Sequence, residues 1–265
     1  MWSTIKTPAI VLSTSPLREA DRRYTALTPL SGKIEFVGRG AQKPRAKLAP
    51  HLEPFAVVDL EVVYGAHSTT VISAERLETF STIGTTLEHR LLAHTLFALV
   101  DDAVKPDLND EVMYLDVLEI LRFLDARTAL PPGRGALILG GFVLRFLRRL
   151  GYDIELSRCL ACALPVMPLC FRWHSGRGGL VCSDCAAMHP EDWFAARALD
   201  EAAVTLMRFA RDAEYAHLLR PALPGRVIAE FSACVDDVAR YHIPGFRAVA
   251  LWPDAGLLPP PANVV

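Results

Sequence analysis

The sequence contains no uninterrupted apolar run long enough to cross a bilayer. Its mid-chain run at 136–144 stops at Arg145, about half the length that a membrane-spanning helix needs. The opening residues Met-Trp-Ser-Thr-Ile-Lys hold no compact apolar stretch with a cleavage site, so no secretory leader is expected and a cytoplasmic, nucleoid-associated location is. Several catalytic templates are missing as well. There is no G-x-x-x-x-G-K-[ST], which excludes a P-loop, and no G-x-S-x-G or H-E-x-x-H. None of the five lysines stands in K-x-D-G, which an adenylating ligase would use for its nucleophile. Paired acids such as Asp101-Asp102 and Asp236-Asp237 fall in helical stretches and read as solvated faces. A protein that is not an enzyme is the expectation.

Disorder is excluded too: hydrophobic residues make up 51% and charged residues 22%, enough to bury a core. A chain of 265 residues suits one large domain or two to three small ones. The net charge of −2 hides an asymmetry. Residues 1–50 carry nine Lys/Arg and three acids, a net of +6, so the remainder carries −8. A basic first segment on an otherwise acidic protein points to a local polyanion site or to a solvated basic face.

Along the chain, residues 6–80 read as β. Short runs at 7–13, 22–28, 33–38, 55–64 and 69–74 are bounded by turn signals. In the fourth, Val58, Leu60 and Val62 alternate with Asp59 and Glu61, the period of two of a half-buried strand. Five short strands suggest a small barrel or sandwich, the OB-fold being one solution. Pro44, Pro50 and Pro54 make 39–54 a loop with room for a short helix.

From about residue 84 the period becomes helical. Leu87, Leu91, Leu92, Leu96, Leu99 and Val100 predict one apolar face, and Val112, Leu115, Leu118, Leu121 and Leu124 a second. After Pro131-Pro132-Gly133, residues 136–150 predict a third helix, with Gly151 as its stop signal. Helices are further expected over 192–219 and 226–242. The Pro-rich end, 251–265, is expected to be a disordered tail.

Two features carry chemistry. Cys159-Leu-Ala-Cys162 and Cys182-Ser-Asp-Cys185 are C-x-x-C knuckles nineteen residues apart, the spacing of a zinc site with four thiolate ligands. Four thiolates close the coordination sphere, so one structural zinc ion is expected and no metal-activated water. Gly176, Gly178 and Gly179 suit a tight hairpin before the second knuckle. Cys170 and Cys234 read as core cysteines. His51-Leu-Glu53 matches half of a zinc deaminase signature, but no proline precedes either knuckle and one C-x-x-C pair would have no task.

The second feature is Gly38-Arg-Gly-Ala-Gln-Lys-Pro-Arg-Ala-Lys47. Arg39, Lys43, Arg45 and Lys47 can neutralise phosphates without reading bases. Arg22, Arg23 and Lys33 are candidates for the same face. The nearby aromatics are few: Tyr24, Phe36 and Phe55. Arg145, Arg148 and Arg149 end the third predicted helix, where they complement its dipole. They are also candidates for attracting an acidic partner peptide.

In order, these pieces resemble the bacterial RecO family. The matching stretches include Thr25-Ala-Leu-Thr-Pro-Leu-Ser-Gly-Lys33, Gly38-Arg-Gly-Ala41, Lys43-Pro-Arg-Ala-Lys-Leu48 and Leu52-Glu-Pro-Phe55. Val62-Val-Tyr-Gly65, Phe142-Val-Leu-Arg-Phe-Leu-Arg-Arg-Leu-Gly-Tyr152 and both knuckles follow. The resemblance implies an α+β protein: an OB-fold barrel (1–80), a helical domain (81–157 and 190–250) and an inserted four-cysteine zinc finger (158–189). It further implies binding to single- and double-stranded DNA, annealing of complementary strands and assistance to RecA loading. Implied partners are RecR, sometimes RecF, and the tail of single-strand-binding protein. The stretch after Tyr241-His242 departs from the family pattern. A zinc-containing protein–protein adaptor is the alternative reading; a nuclease would need a carboxylate cluster that the sequence does not assemble.

Overall fold

Five strands open the chain: β1 (Ser3–Pro16), β2 (Arg22–Thr28), β3 (Gly32–Gly38), β4 (Ala56–Tyr64) and β5 (Thr69–Thr79). In the computed structural model, which describes residues 3–106 and 109–243, they form a closed barrel in the order β1-β2-β3-β5-β4. Closure depends on β1. Its residues 3–10 pair with β4 and its residues 10–16 with β2, with a register shift between Val11 and Ser13 where it passes from one neighbour to the other. Such a bulge bends and twists a strand, as a corner of a small barrel requires. The last seam is a parallel contact of β3 with β5 at Val37 and Thr70.

The alternation read in β4 is realised. Val58, Leu60 and Val62 are fully buried and Asp59 faces outward to pair with Lys6 at 2.9 Å. Tyr24 and Phe36 stack inside the barrel with centroids 5.5 Å apart. Burying each such side chain contributes about 1.5–3 kcal/mol. A short 3-10 helix, Ala49–Leu52, occupies the proline-rich connection between β3 and β4.

Two compact units divide the chain, Met1–Ala129 and Leu130–Val265. The change from strand to helix near residue 80 is therefore a different boundary from the compact one. The first unit adds α1 (Leu87–Ala103) and α2 (Glu111–Asp125) to the barrel. Thr86 and Asp110 cap them, accepting from the N–H groups of His89 and Met113. α2 is tied back to the segment after β5. The Asp125 carboxylate accepts from the N–H groups of Thr82 (2.7 Å) and Ile83 (3.2 Å), and Arg122 makes a forked pair with Glu78.

Three expectations change here. Leu87, Val112 and Leu115 are exposed. Leu87 opens its helix, and the buried face of α2 runs instead through Met113, Val117, Leu121 and Leu124. Lys33 is only 7% exposed and is not available to phosphate. Its ammonium donates to the Asp101 carbonyl and lies 3.4 Å from the Asp101 carboxylate, which also accepts from Ser13 at 2.8 Å. This lysine is a strut between β3 and α1.

The second unit is built on α3 (Arg134–Arg149), which is buried along most of its length. It packs against α5 (Glu201–Asp212), α6 (Tyr215–Leu218) and α7 (Gly225–His242). A Cβ at Gly141 would come 2.6 Å from the Ala210 carbonyl, so glycine sets the close approach of α3 and α5. Between α3 and α5 lie β6 (Glu155–Cys159), β7 (Phe171–His174), β8 (Gly179–Cys182) and α4 (Ser183–Met188), with sheet order β6-β8-β7.

The expected helix over 192–219 is interrupted. Residues 192–200 are irregular because Trp193 and Ala196 are buried beside the knuckles and Arg197 exchanges backbone hydrogen bonds with Trp173. α5 starts only after Asp200, whose carboxylate accepts from the Ala202 N–H. The tail expected at 251–265 lies outside the described residues.

The Lys33 ammonium is buried and the Asp101 carboxylate partly exposed, so losing the acid strands a buried charge, whereas losing the lysine leaves a carboxylate that water and Ser13 still reach. Asp101→Ala is therefore expected to lower stability by about 3 kcal/mol, and Lys33→Met by clearly less. Denaturant unfolding of the two variants checks the order.

Candidate metal centre and nucleic-acid interface

The four knuckle cysteines come together. Their sulfur atoms all lie within 4.8 Å of one another, a group that could hold a metal ion. The local chain explains how. β6 ends at Cys159, and the turn after it places Ala163 at φ +59°, with its N–H donating to the Cys159 carbonyl. β8 ends at Cys182, which starts α4, so Cys185 lies one turn into that helix. Gly178, at φ +65°, closes the preceding hairpin. Beneath the sulfurs sit Val181, Trp193 and Ala196, a small apolar cluster.

The electrostatics of the group fit a cation. Burial opposes ionisation of Cys159, but backbone N–H groups of Cys162, Cys182 and Ala161 point at its sulfur and bring its pKa down to about 6. The Cys182 and Ala161 contacts measure 3.3 and 3.4 Å. Cys185 is pushed up to about 12, first by its hydrogen bond with Cys182 and then by burial and the neighbouring thiols. Four thiols this close cannot all ionise unless positive charge is added, and a thiolate-bound cation supplies it. His51 is not part of the group.

The two remaining cysteines differ. Cys234 is buried, its pKa pushed up to about 12 by that burial, and Arg197 donates to its sulfur at 3.2 Å. Cys170 is exposed, contrary to the core position expected for it. It lies on an uncharged, largely exposed loop, 160–170, which has no strand partner along most of its length.

On the barrel, Arg23, Arg39, Lys43, Arg45 and Lys47 are exposed. Arg22 is half-buried and lies 3.4 Å from Glu53. The nearby aromatics are occupied elsewhere. Tyr24 and Phe36 are inside the barrel, and Phe55 stacks on Phe97 and meets His94 edge-on. This face is therefore cationic with no exposed ring from these three, an arrangement that would suit phosphates.

Of the arginines at the end of α3, Arg145 donates to the carbonyls of Ala210 (3.4 Å) and Ala213 (3.0 Å) and lies over the Tyr215 ring. It closes the C-terminus of α5. Arg148 pairs with Asp153 and Asp212. Arg149 is exposed at the helix end. Sequence reasoning overlooked Arg18, which is exposed on the β1–β2 turn. Only the strand pairing brings that turn beside the loop after β3.

Residues 1–80 match the family model "Recombination protein O N terminal", and residues 85–248 match "Recombination protein O C terminal". A protein of Roseiflexus sp. (strain RS-1) is 33% identical over 183 residues, 69% of this chain and 62% of the relative. One of Nocardioides sp. is 31% identical over 67% of this chain and 72% of its own length. One of Dehalococcoides mccartyi is 22% identical over 94% of this chain and 95% of its own length. All three carry the name DNA repair protein RecO. The aligned stretch is under two thirds of the Roseiflexus relative, whereas the Dehalococcoides alignment runs almost end to end. With both halves of the chain matched in order, the protein belongs to the RecO family.

Proposed function

We propose that this protein serves DNA repair and recombination as an ATP-independent mediator. In this reading it binds single- and double-stranded DNA, anneals complementary strands and assists RecA loading, without being an enzyme. The observation that carries the reading is the exposed row Arg39, Lys43, Arg45 and Lys47 beside Arg23, with Tyr24, Phe36 and Phe55 turned to other tasks. Cations that hold phosphates and leave base edges uncontacted screen the repulsion between two strands, so that complementary bases can meet. The partners in this reading are RecR, in some settings RecF, and the tail of single-strand-binding protein. Arg145, Arg148 and Arg149 are the candidates for attracting an acidic tail. Arg145 is engaged with the end of α5 and Arg148 with Asp153 and Asp212, so both contribute less than their charge alone suggests.

The metal in this proposal is zinc. Four thiolates are its preferred closed structural set, and the N–H groups directed at the Cys159 sulfur support that charge. Bound there, zinc would link the end of β6 to the start of α4 and would leave no coordination position for water.

A second reading, a protein–protein adaptor, is favoured by the uncharged 160–170 loop, where Leu164, Met167 and Leu169 are largely exposed. A gel shift with random single-stranded DNA separates the two readings: no retarded band at low salt favours the adaptor.

For the DNA reading, changing Arg39, Lys43, Arg45 and Lys47 together to Ala should weaken binding. It should also flatten the dependence of log affinity on log salt by about 0.7–0.9 for each lost phosphate contact. An unchanged slope would remove the loop from the interface. For the metal, elemental analysis should find one zinc per chain. Cys182→Ser should lose it and unfold residues 158–189 locally; a stable, metal-free wild type would refute the proposal.

A further inference from the structure

The β1–β2 turn and the loop after β3 are far apart in sequence, yet they form one braced platform. The brace has two parts. The Asp21 carboxylate accepts from the Gly40 N–H at 2.8 Å. The Gln42 side-chain amide donates to the carbonyls of Arg18 and Asp21, both at 2.7 Å. A backbone bond from the Gln42 N–H to the Ala20 carbonyl (2.9 Å) runs alongside. The turn itself is closed by the Leu17 N–H on the Asp21 carbonyl at 3.0 Å. Beneath it, Ala41 is 7% exposed and packs into the barrel core, which pins the middle of the loop. Gly40 adopts φ +67°, a left-handed conformation that glycine reaches without steric cost.

We infer that Asp21 and Gln42 are positioning residues for DNA binding. They hold Arg39 and Lys43 of the loop and Arg18 of the turn as one preorganised set of phosphate ligands, with Arg18 a member of the binding face. The inference rests on the DNA-binding reading above. An acidic residue beside a phosphate site is unfavourable by charge alone, so Asp21 is at odds with that site unless its hydrogen bond contributes more than its charge opposes. A loop that is already ordered loses less conformational entropy when DNA arrives. A free loop would have to order itself at that moment.

Two substitutions at one position separate charge from positioning. Asp21→Asn and Asp21→Ala remove the same negative charge, but asparagine keeps an oxygen that can accept from Gly40. Measured by fluorescence anisotropy on random single-stranded DNA, Asp21→Asn should bind as well as the wild type or slightly more tightly. Asp21→Ala should bind about two- to tenfold more weakly, the range that one modest hydrogen bond spans. Gln42→Ala, which changes no charge, should weaken binding by a similar factor. Arg18→Ala should reduce the salt slope by about 0.7–0.9. Thermal unfolding of each variant confirms that the barrel is intact, and the Asn variant supplies a folded comparison at the same site. If Asp21→Asn and Asp21→Ala bind alike, or both bind more tightly, charge alone acts and the brace is overturned. If Gln42→Ala binds like the wild type, the brace is likewise overturned. The four-alanine loop variant, run beside them, tells this failure from that of the wider reading. Should it keep wild-type affinity, the loop is not the DNA site and both fall. If it loses affinity while the two Asp21 variants agree, only the brace falls.

Discussion

β1 has to serve two neighbours, and the first unit depends on its doing so. A strand of fourteen residues is long enough to hand one half to β4 and the other to β2. The register shift between Val11 and Ser13 turns the corner. With that corner made, β2 and β3 run side by side, and their outer ends, Arg22 and Gly38, lie opposite each other. The turn that enters β2 and the loop that leaves β3 then emerge at the same edge of the barrel. The cationic face is a product of that closure: its residues come from segments that only the strand pairing makes adjacent.

The second unit handles a different shortage. The segment that carries the cysteines has three short strands and a six-residue helix, and the cluster around its thiols adds only Val181, Trp193 and Ala196 as buried apolar side chains. So small a cluster contributes little against the entropy of ordering the turns that carry the thiols. Four sulfurs at one point, with backbone N–H groups directed at the first of them, are suited to a cation that makes up the difference. The segment is also held by ordinary contacts. Arg197 pairs with Trp173 through the backbone, and Tyr241 lies so close to Gly176 that a Cβ there would come within 2.7 Å of its ring. The cysteine cluster thus sits in a framework that α7 also supports.

Much of this was legible before any coordinates. β2 and β4 fall within a residue of their expected bounds: β4 shows the period of two of a half-buried strand, and β2, buried from Tyr24 to Thr28, is marked by its short run with β-branched residues. The meeting of the four cysteines was legible because two C-x-x-C turns able to serve one metal ion keep a characteristic spacing. Other readings failed for identifiable reasons. Lys33 counted as a free cation because composition does not report burial; Asp101, its partner, lies 68 positions away. Val112 and Leu115 were placed inside because a spacing of three fits several neighbouring stripes, and only the packing of α2 selects one. The helix expected over 192–219 began late because Trp193 and Ala196 were needed beneath the cysteines, and a tertiary demand overrode local propensity.

By itself the sequence determined the strand-rich first part and the change to helices, the identity of the clustered thiols and the excess of positive charge near the N-terminus. These are local properties, set by side-chain period, ligand chemistry and composition. The tertiary structure decided which cations face outward, which one is a strut, and that Asp21 and Gln42 link two loops. Those outcomes depend on pairing between distant residues, and the geometry of β1, β2 and β3 brings that about only when the barrel closes.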